Sequence, residues 1–168
     1  MDVGQFKQET VMGIEAVKEF FEEQGIADRV WEFEVSSATV ELAARAVGCE
    51  PQRIAKTLSF LVDGRAILVV AAGDAKIDNP KYKARFGTKA KMLTPDEAVN
   101  LVGHAVGGVC PFGVKPGVAV YLDVSLKRFP TVFPACGSAN SAIELSIEEL
   151  GKYSSSAAWV DVCKNWQS

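Results

Sequence analysis

One histidine and four cysteines are all that this 168-residue chain offers a soft metal. None of Cys49, Cys110, Cys136 and Cys163 belongs to a C-x-x-C pair. A structural zinc site needs four Cys/His ligands at close spacing, so that pattern is absent and no metal or other cofactor is expected. The cysteines read instead as small, partly buried, reduced thiols. Also missing is any apolar run near the roughly 20 residues that span a bilayer. The first residues, Met1 to Gly13, contain neither a basic n-region nor an apolar h-region, so a cytoplasmic protein is expected. Nor is there an excess of positive charge. A net charge of −3 argues against extensive duplex binding, which depends on neutralising many phosphates, but leaves contact with a short single-stranded end open. Internal repeats and low-complexity stretches are lacking.

What is present describes an ordinary folded core: 48% hydrophobic residues against 23% charged. From Thr10 to Gln24, Val11, Ile14, Val17, Phe20 and Phe21 recur three and four apart, which predicts an amphipathic helix ended by Gly25. Val30 to Val35 alternates and reads as a strand with one buried face, after which Ser36 and Ser37 are expected to cap a helix through Ala46, stopped by Gly48. Ile54–Val62 and Ala66–Ala72 are apolar runs joined by Asp63-Gly64, a hairpin signal. Asn79-Pro80 predicts a capped short helix ending near Gly87, and Thr94 with Glu97 forms a capping box for a helix stopped at Gly103. Val118–Val124, Thr131–Ala135, Ala142–Leu145 and Trp159–Val162 read as strands, and Ser146 to Glu149 as a second capping box with its helix stopped by Gly151. Strands joined by hairpins as often as by helices favour a single α+β domain with a mixed or mostly antiparallel sheet. Residues 1–28 then form an N-terminal helix and 29–168 the domain itself.

Three places could carry chemistry. Lys56 lies within the apolar strand Ile54-Ala55-Lys56-Thr57-Leu58-Ser59-Phe60, sharing a face with Ile54, Leu58 and Phe60. It reads either as a strand-end lysine snorkelling to water or as a cation held in a cleft for a phosphate or carboxylate. Gly103 to Gly113 packs four glycines and a proline into eleven residues, freeing backbone to turn tightly and approach a ligand. Ala135-Cys136-Gly137-Ser138-Ala139-Asn140-Ser141 follows a strand and reads either as a plain polar turn or as a source of backbone amides for an oxyanion. Covalent catalysis by Cys110 or Cys136 would need His104 as base, and no aspartate or asparagine is placed nearby in sequence to orient it. From Asp74 to Lys91, six basic residues stand against two acidic ones, which describes a solvated helix face or a local phosphate-facing patch.

In order, these residues resemble a known family. Arg53-Ile54-Ala55-Lys56-Thr57-Leu58, then Gly107-Gly108-Val109-Cys110-Pro111, then Gly137-Ser138 and Ile143-Glu144-Leu145-Ser146 look like the YbaK/prolyl-tRNA synthetase-associated domain family of bacterial trans-editing deacylases. The likeness runs from about Val30 to Tyr153. It implies an α+β fold around a mixed, largely antiparallel, barrel-like sheet flanked by short helices. It implies hydrolysis, in trans and without metal or protein nucleophile, of the ester joining a mischarged small amino acid (alanine, cysteine, serine or threonine) to tRNA, tRNA(Pro) foremost. By position, Lys56 would hold the terminal-adenosine phosphate region. Gly107, Gly108 and Pro111, with Val109 and Cys110 between them, would position the water and contact the aminoacyl group. Thr57 would set the size or polarity of the pocket, and Gly137, Ser138 and Asn140 would line its opposite wall. The acceptor end of tRNA and prolyl-tRNA synthetase are the implied partners. A non-catalytic module that holds a tRNA end or nucleotide is the alternative on the same fold.

Overall fold

A computed structural model describes residues 12–167 of the chain. Its centre is the hairpin of β2 (Ile54–Val62) and β3 (Arg65–Ala72), paired in register from Ala55↔Ala72 to Val62↔Arg65. Asp63 and Gly64 make the turn with φ of 50° and 78°. Two successive positive φ values match the right-handed twist of the strands they join, and asparagine, aspartate and glycine adopt them at least cost. Beyond Arg65, every residue of β3 is buried. That explains its unbroken apolar run: a strand covered on both faces has no polar side to alternate with.

Two parallel neighbours extend the hairpin on the β3 side, β5 (Ala119–Asp123) and then β9 (Ala158–Val160). On the β2 side, β6 (Thr131–Pro134) runs parallel to Ile54–Ala55, and β8 (Leu145–Ser146) closes the sheet antiparallel to β6. Two short antiparallel ribbons complete the described strands: β1 (Trp31–Glu32) with β7 (Ser141–Ala142), and β4 (Lys76–Ile77) with β10 (Cys163–Lys164). The result is an α+β domain whose six-stranded sheet curls into a half-barrel and mixes both pairing senses.

Among the described residues, five α-helices flank the sheet. Helix α1 (Ile14–Glu23) buries Val17 and Phe21 in the main core, with the Phe21 ring 5.0 Å from that of Phe112. Thr10 and Val11, which the sequence pattern assigns to this helix, lie outside the described residues. Helix α2 (Val40–Val47) is capped by Thr39, whose hydroxyl accepts from Leu42 N–H at 3.2 Å, and not by Ser36 or Ser37. Helix α3 (Asn79–Phe86) takes its cap from Asp78, one residue before the expected Asn79. The Thr94 capping box opens α4 (Pro95–Glu97), which continues as a π-helical turn over Ala98–Val102 and stops at Gly103. The Ser146 box opens α5 (Ile147–Tyr153), which runs through Gly151. Glycine lowers helix propensity by only about 1 kcal/mol, which the capping box and the burial of Leu150 offset.

The expected strand from Val30 to Val35 shortens to two residues. Among the described residues no layer covers its outer face: Trp31 is 43% and Val35 62% exposed. The chain bends away instead, with Phe33 N–H donating to Asn140 O at 2.8 Å.

Candidate functional site

The site begins as a gap in the sheet. Along one edge of β2, β6 covers Ile54–Ala55. Further on, residues 91–93 lie antiparallel beside Phe60, with Leu61 N–H donating to Lys91 O (2.8 Å) and Leu93 N–H to Ser59 O (3.1 Å). Between these two covers, Thr57 has no strand partner on that edge among the described residues. Backbone groups alternate sides along a strand, so Thr57, in phase with Ser59 and Leu61, turns its N–H and C=O toward the gap.

A cavity of about 540 Å³ opens there. Its floor is Ile54 to Ser59. Ser37 to Val40 and Ala43 form one side, Met92, Leu93 and Pro95 another, Val106, Gly107 and Val109 a third, and Phe133, Ala135, Ser141 and Ala142 the back. The size and the largely apolar lining with a few polar groups are those of a small-molecule site.

Lys56 is half-buried at this floor, and its ammonium donates to the carbonyls of Ala75 and Gly73. Burial pushes its pKa below the ordinary lysine value. Both carbonyls belong to the turn after β3. An added Cβ on Gly73 would lie 2.1 Å from Pro51 O, so this turn packs directly on the entry to β2 and brings its carbonyls within reach. Two residues of the motifs, Arg53 and Glu144, brace the same strand: Arg53 and the Thr131 hydroxyl both donate to Glu144, the latter at 2.6 Å.

The structure divides the expected site residues into two groups. Lys56, Thr57, Gly107 and Val109 line the cavity. Gly108, Cys110, Pro111, Gly137, Ser138 and Asn140 are not among the residues that line it, although Gly137 and Ser138 were expected in its opposite wall. Gly108 is pressed against the next loop, where an added Cβ would meet Ser138 N at 2.6 Å. Gly137, at φ +92°, abuts the backbone of Gly13 in the same way. Pro111 is buried in the turn. Ser138 Oγ–H bonds within its own loop, to Ser141 Oγ at 2.7 Å, and the Asn140 amide donates to Phe33 O at 2.9 Å. Cys110 is fully buried, with Sγ 3.7 Å from Phe112 O, and desolvation pushes its thiol up to about 12.

The pairing of Cys110 with His104 as its base fails on geometry. His104 is fully buried, and its Nε2 sits 2.7 Å from Phe112 O, which can only accept. Nε2 therefore carries the proton and cannot take one from Cys110, 3.6 Å away. Among the described residues, no group of three or more His, Cys, Asp or Glu side chains converges as a metal ligand set.

The basic run after Asp74 divides as well. Lys81 pairs with Asp161 (3.1 Å), and Arg85 lies over the rings of Phe86 and Tyr121. Lys83, Lys89 and Lys91 are exposed, and Lys91 adjoins Met92 at the cavity rim. No helix of the described residues is long and apolar enough to cross a membrane.

Ser37, Ala38, Met92 and Val106 gave no sequence signal as site residues. Ser37 carried only a helix-cap reading and Ala38 only a place in the helix it was to cap, and Met92 and Val106 are single exposed apolar residues, which are common on any surface. Their meaning depends on the gap in the sheet.

Residues 34–153 match the model of the aminoacyl-tRNA editing domain. The chain belongs to this family. The match covers nearly the stretch that carries the YbaK-type resemblance. Over 157 residues the chain is 56% identical to the uncharacterized protein YwhH of Bacillus subtilis (strain 168), covering 93% of this chain and 100% of that protein. It is 31% identical over 101 residues to a proline--tRNA ligase of Geobacillus sp. (strain WCH70), covering 60% of this chain and only 18% of the ligase. A solved structure of a protein put forward as a trans-editing enzyme for prolyl tRNA synthetase superposes with a TM-score of 0.81 at 30% identity, covering 90% of this chain and 96% of that one.

Proposed function

We propose that this editing-domain protein is an aminoacyl-tRNA deacylase that acts in trans, hydrolysing the ester between a mischarged small amino acid and the 3′ end of tRNA, with tRNA(Pro) as the first candidate. The observation that carries this reading is the union of a half-buried lysine with a small, mostly apolar cavity walled by Gly107 and Val109. Lys56 exchanges its two carbonyl partners for a phosphate of the terminal nucleotide, a stronger partner for an ammonium in a partly desolvated place. The amino-acid side chain enters the space between Thr57 and Val109. Water attacks the ester carbonyl, the tetrahedral intermediate collapses, and the ribose 3′-oxygen leaves with a proton as the free amino acid departs.

An aminoacyl ester is already activated, so positioning and oxyanion donors suffice. Each donor is worth roughly 10² to 10³ in rate. The backbone of Gly107 and the free edge of Thr57 are the groups that orient water and charge, with a substrate hydroxyl or amine moving the proton. Gly108 and Pro111 act by shaping the turn. Gly137, Ser138 and Asn140 brace it from behind, and Cys110 supports it from the core. We assign residues 29–168 to the editing domain and α1 to its N-terminal brace. Lys89 and Lys91, beside the rim, meet acceptor-strand phosphates. With an acidic chain overall, affinity for tRNA alone is weak and salt-sensitive, so prolyl-tRNA synthetase is the natural source of substrate. Such work places the protein in the cytoplasm.

Incubating the purified chain with a panel of mischarged tRNAs tests this. Release of a small amino acid is expected. Saturable binding of the same tRNAs with no release on any of them would replace this reading with a non-catalytic tRNA-end module.

A further inference from the structure

The cavity wall carries two hydroxyls that the fold does not use. Ser37 Oγ and Thr57 Oγ1 are buried and have no hydrogen-bond partner among the described residues, and both residues line the cavity. Two further hydroxyls of this wall are engaged. Thr39 Oγ1 caps α2, and Ser141 Oγ accepts from Ser138 Oγ–H and from Cys136 N–H at 3.3 Å. A buried hydroxyl with no partner has lost its hydration without compensation, and native proteins leave few such groups. Two in one cavity, set among the hydrocarbon of Ala38, Val40, Ala43 and Val109, mark a place where a ligand completes them.

We infer that this pocket is built for an aminoacyl group bearing a side-chain hydroxyl, the serine or threonine class, and that Thr57 and Ser37 read that hydroxyl. The inference rests on the deacylase reading and narrows it. A hydroxyl is donor and acceptor together, so a substrate hydroxyl can pair with either wall oxygen in either role. Ser37 is held in place for this: its N–H donates to Ala139 O at 2.7 Å, and the next residue, Ala38, lies 3.5 Å from the position of an added Cβ on Gly107. An apolar side chain of equal size would fill the same space and leave both oxygens unpaired. Sites built to bond a hydroxyl reject such analogues far more strongly than size alone allows.

The test uses pairs matched in shape. The intact protein is given tRNA(Pro) charged with serine or with 2-aminobutyrate, and with threonine or with valine. The hydroxyl member of each pair should be cleaved with kcat/KM at least about tenfold higher. Thr57→Val and Ser37→Ala should each bring the ratio toward one, and Thr57→Ser should restore it. Equal rates within the pairs would overturn the inference while leaving the deacylase reading intact. So would a Thr57→Val enzyme that keeps its serine preference but loses sensitivity to removal of the terminal 2′-hydroxyl, since the wall oxygens would then serve the ribose. Failure to cleave any ester would instead sink the deacylase reading. Affinity for stable 3′-amide analogues, seryl against 2-aminobutyryl, then decides the inference alone, and equal affinities would overturn it.

Discussion

Two buried polar clusters lie on opposite sides of the β2–β3 hairpin, and they are built on opposite principles. At the end of β5, the fully buried Asp123 carboxylate accepts from Ser125 N–H (3.0 Å) and Val162 N–H (2.9 Å), and Ser125 Oγ accepts from Ala72 N–H (3.1 Å). Each of these polar groups is matched from within the chain. In the cavity beside β2, Ser37 and Thr57 are not. The first cluster ties β3, β5 and the C-terminal segment together, so its chemistry is used up in holding the fold. The second leaves hydrogen-bonding capacity unspent where a substrate can enter. Between these two clusters, whether the polar groups are satisfied separates structure from site better than their identity does.

Substitution tests that contrast directly. Asp123→Ala should be the most damaging change, lowering unfolding free energy in denaturant titrations by about 2–4 kcal/mol, because two buried N–H groups lose their acceptor. An unchanged stability would remove the distinction. Lys56→Ala should lower kcat/KM for deacylation by about a hundredfold, about 2.7 kcal/mol, with stability nearly kept. Full activity in this variant would sink the anchoring role. Thr57→Val is the sharpest discriminator. It keeps shape and β-branching and removes an unpaired oxygen, so thermal stability should hold or rise by up to about 1 kcal/mol while turnover of a hydroxyl-bearing ester falls. A clear loss of stability would mean that the hydroxyl serves the fold.

The smallest effect concerns pH. Arg29 grips Glu149 at 2.8 and 3.2 Å, and with Ser146 N–H holds its carboxyl down to about 2. A depressed carboxylate stabilises the folded state above its ordinary value near 4.5, and that contribution is lost as pH falls toward 2. The pair is about one-third exposed, so the effect is about 1 kcal/mol or less. Melting temperatures between pH 5 and 2.5 should fall less steeply in Glu149→Gln than in the native chain.

Much of this was legible because it is local. The Asp63-Gly64 turn, both capping boxes and the apolar run of β3 depend on neighbours within a few residues, and each formed as read. The order of Lys56, the glycine turn and Gly137-Ser138 identified the family correctly. Errors arose where distant contacts outweighed local pattern. Ser36 and Ser37 look like caps, yet Thr39 caps α2 while Ser37 N–H is drawn to Ala139 O. Cys110 looks like a loop thiol, yet the turn folds it inward against His104 and Phe112.

By itself, then, the sequence determined the local elements and the mixed α+β class, because hydrophobic period, capping and turn chemistry act over a few residues, while only the family resemblance linked the motif of Lys56 to that of the glycine turn. Only the tertiary structure decided which of those motif residues reach the cavity. That choice depends on β6 leaving β2 after Ala55 and on residues 91–93 joining it at Ser59. Between them a stretch of strand edge centred on Thr57 stays open, and the hydroxyl of Ser37, 20 positions earlier in the chain, lines the same cavity.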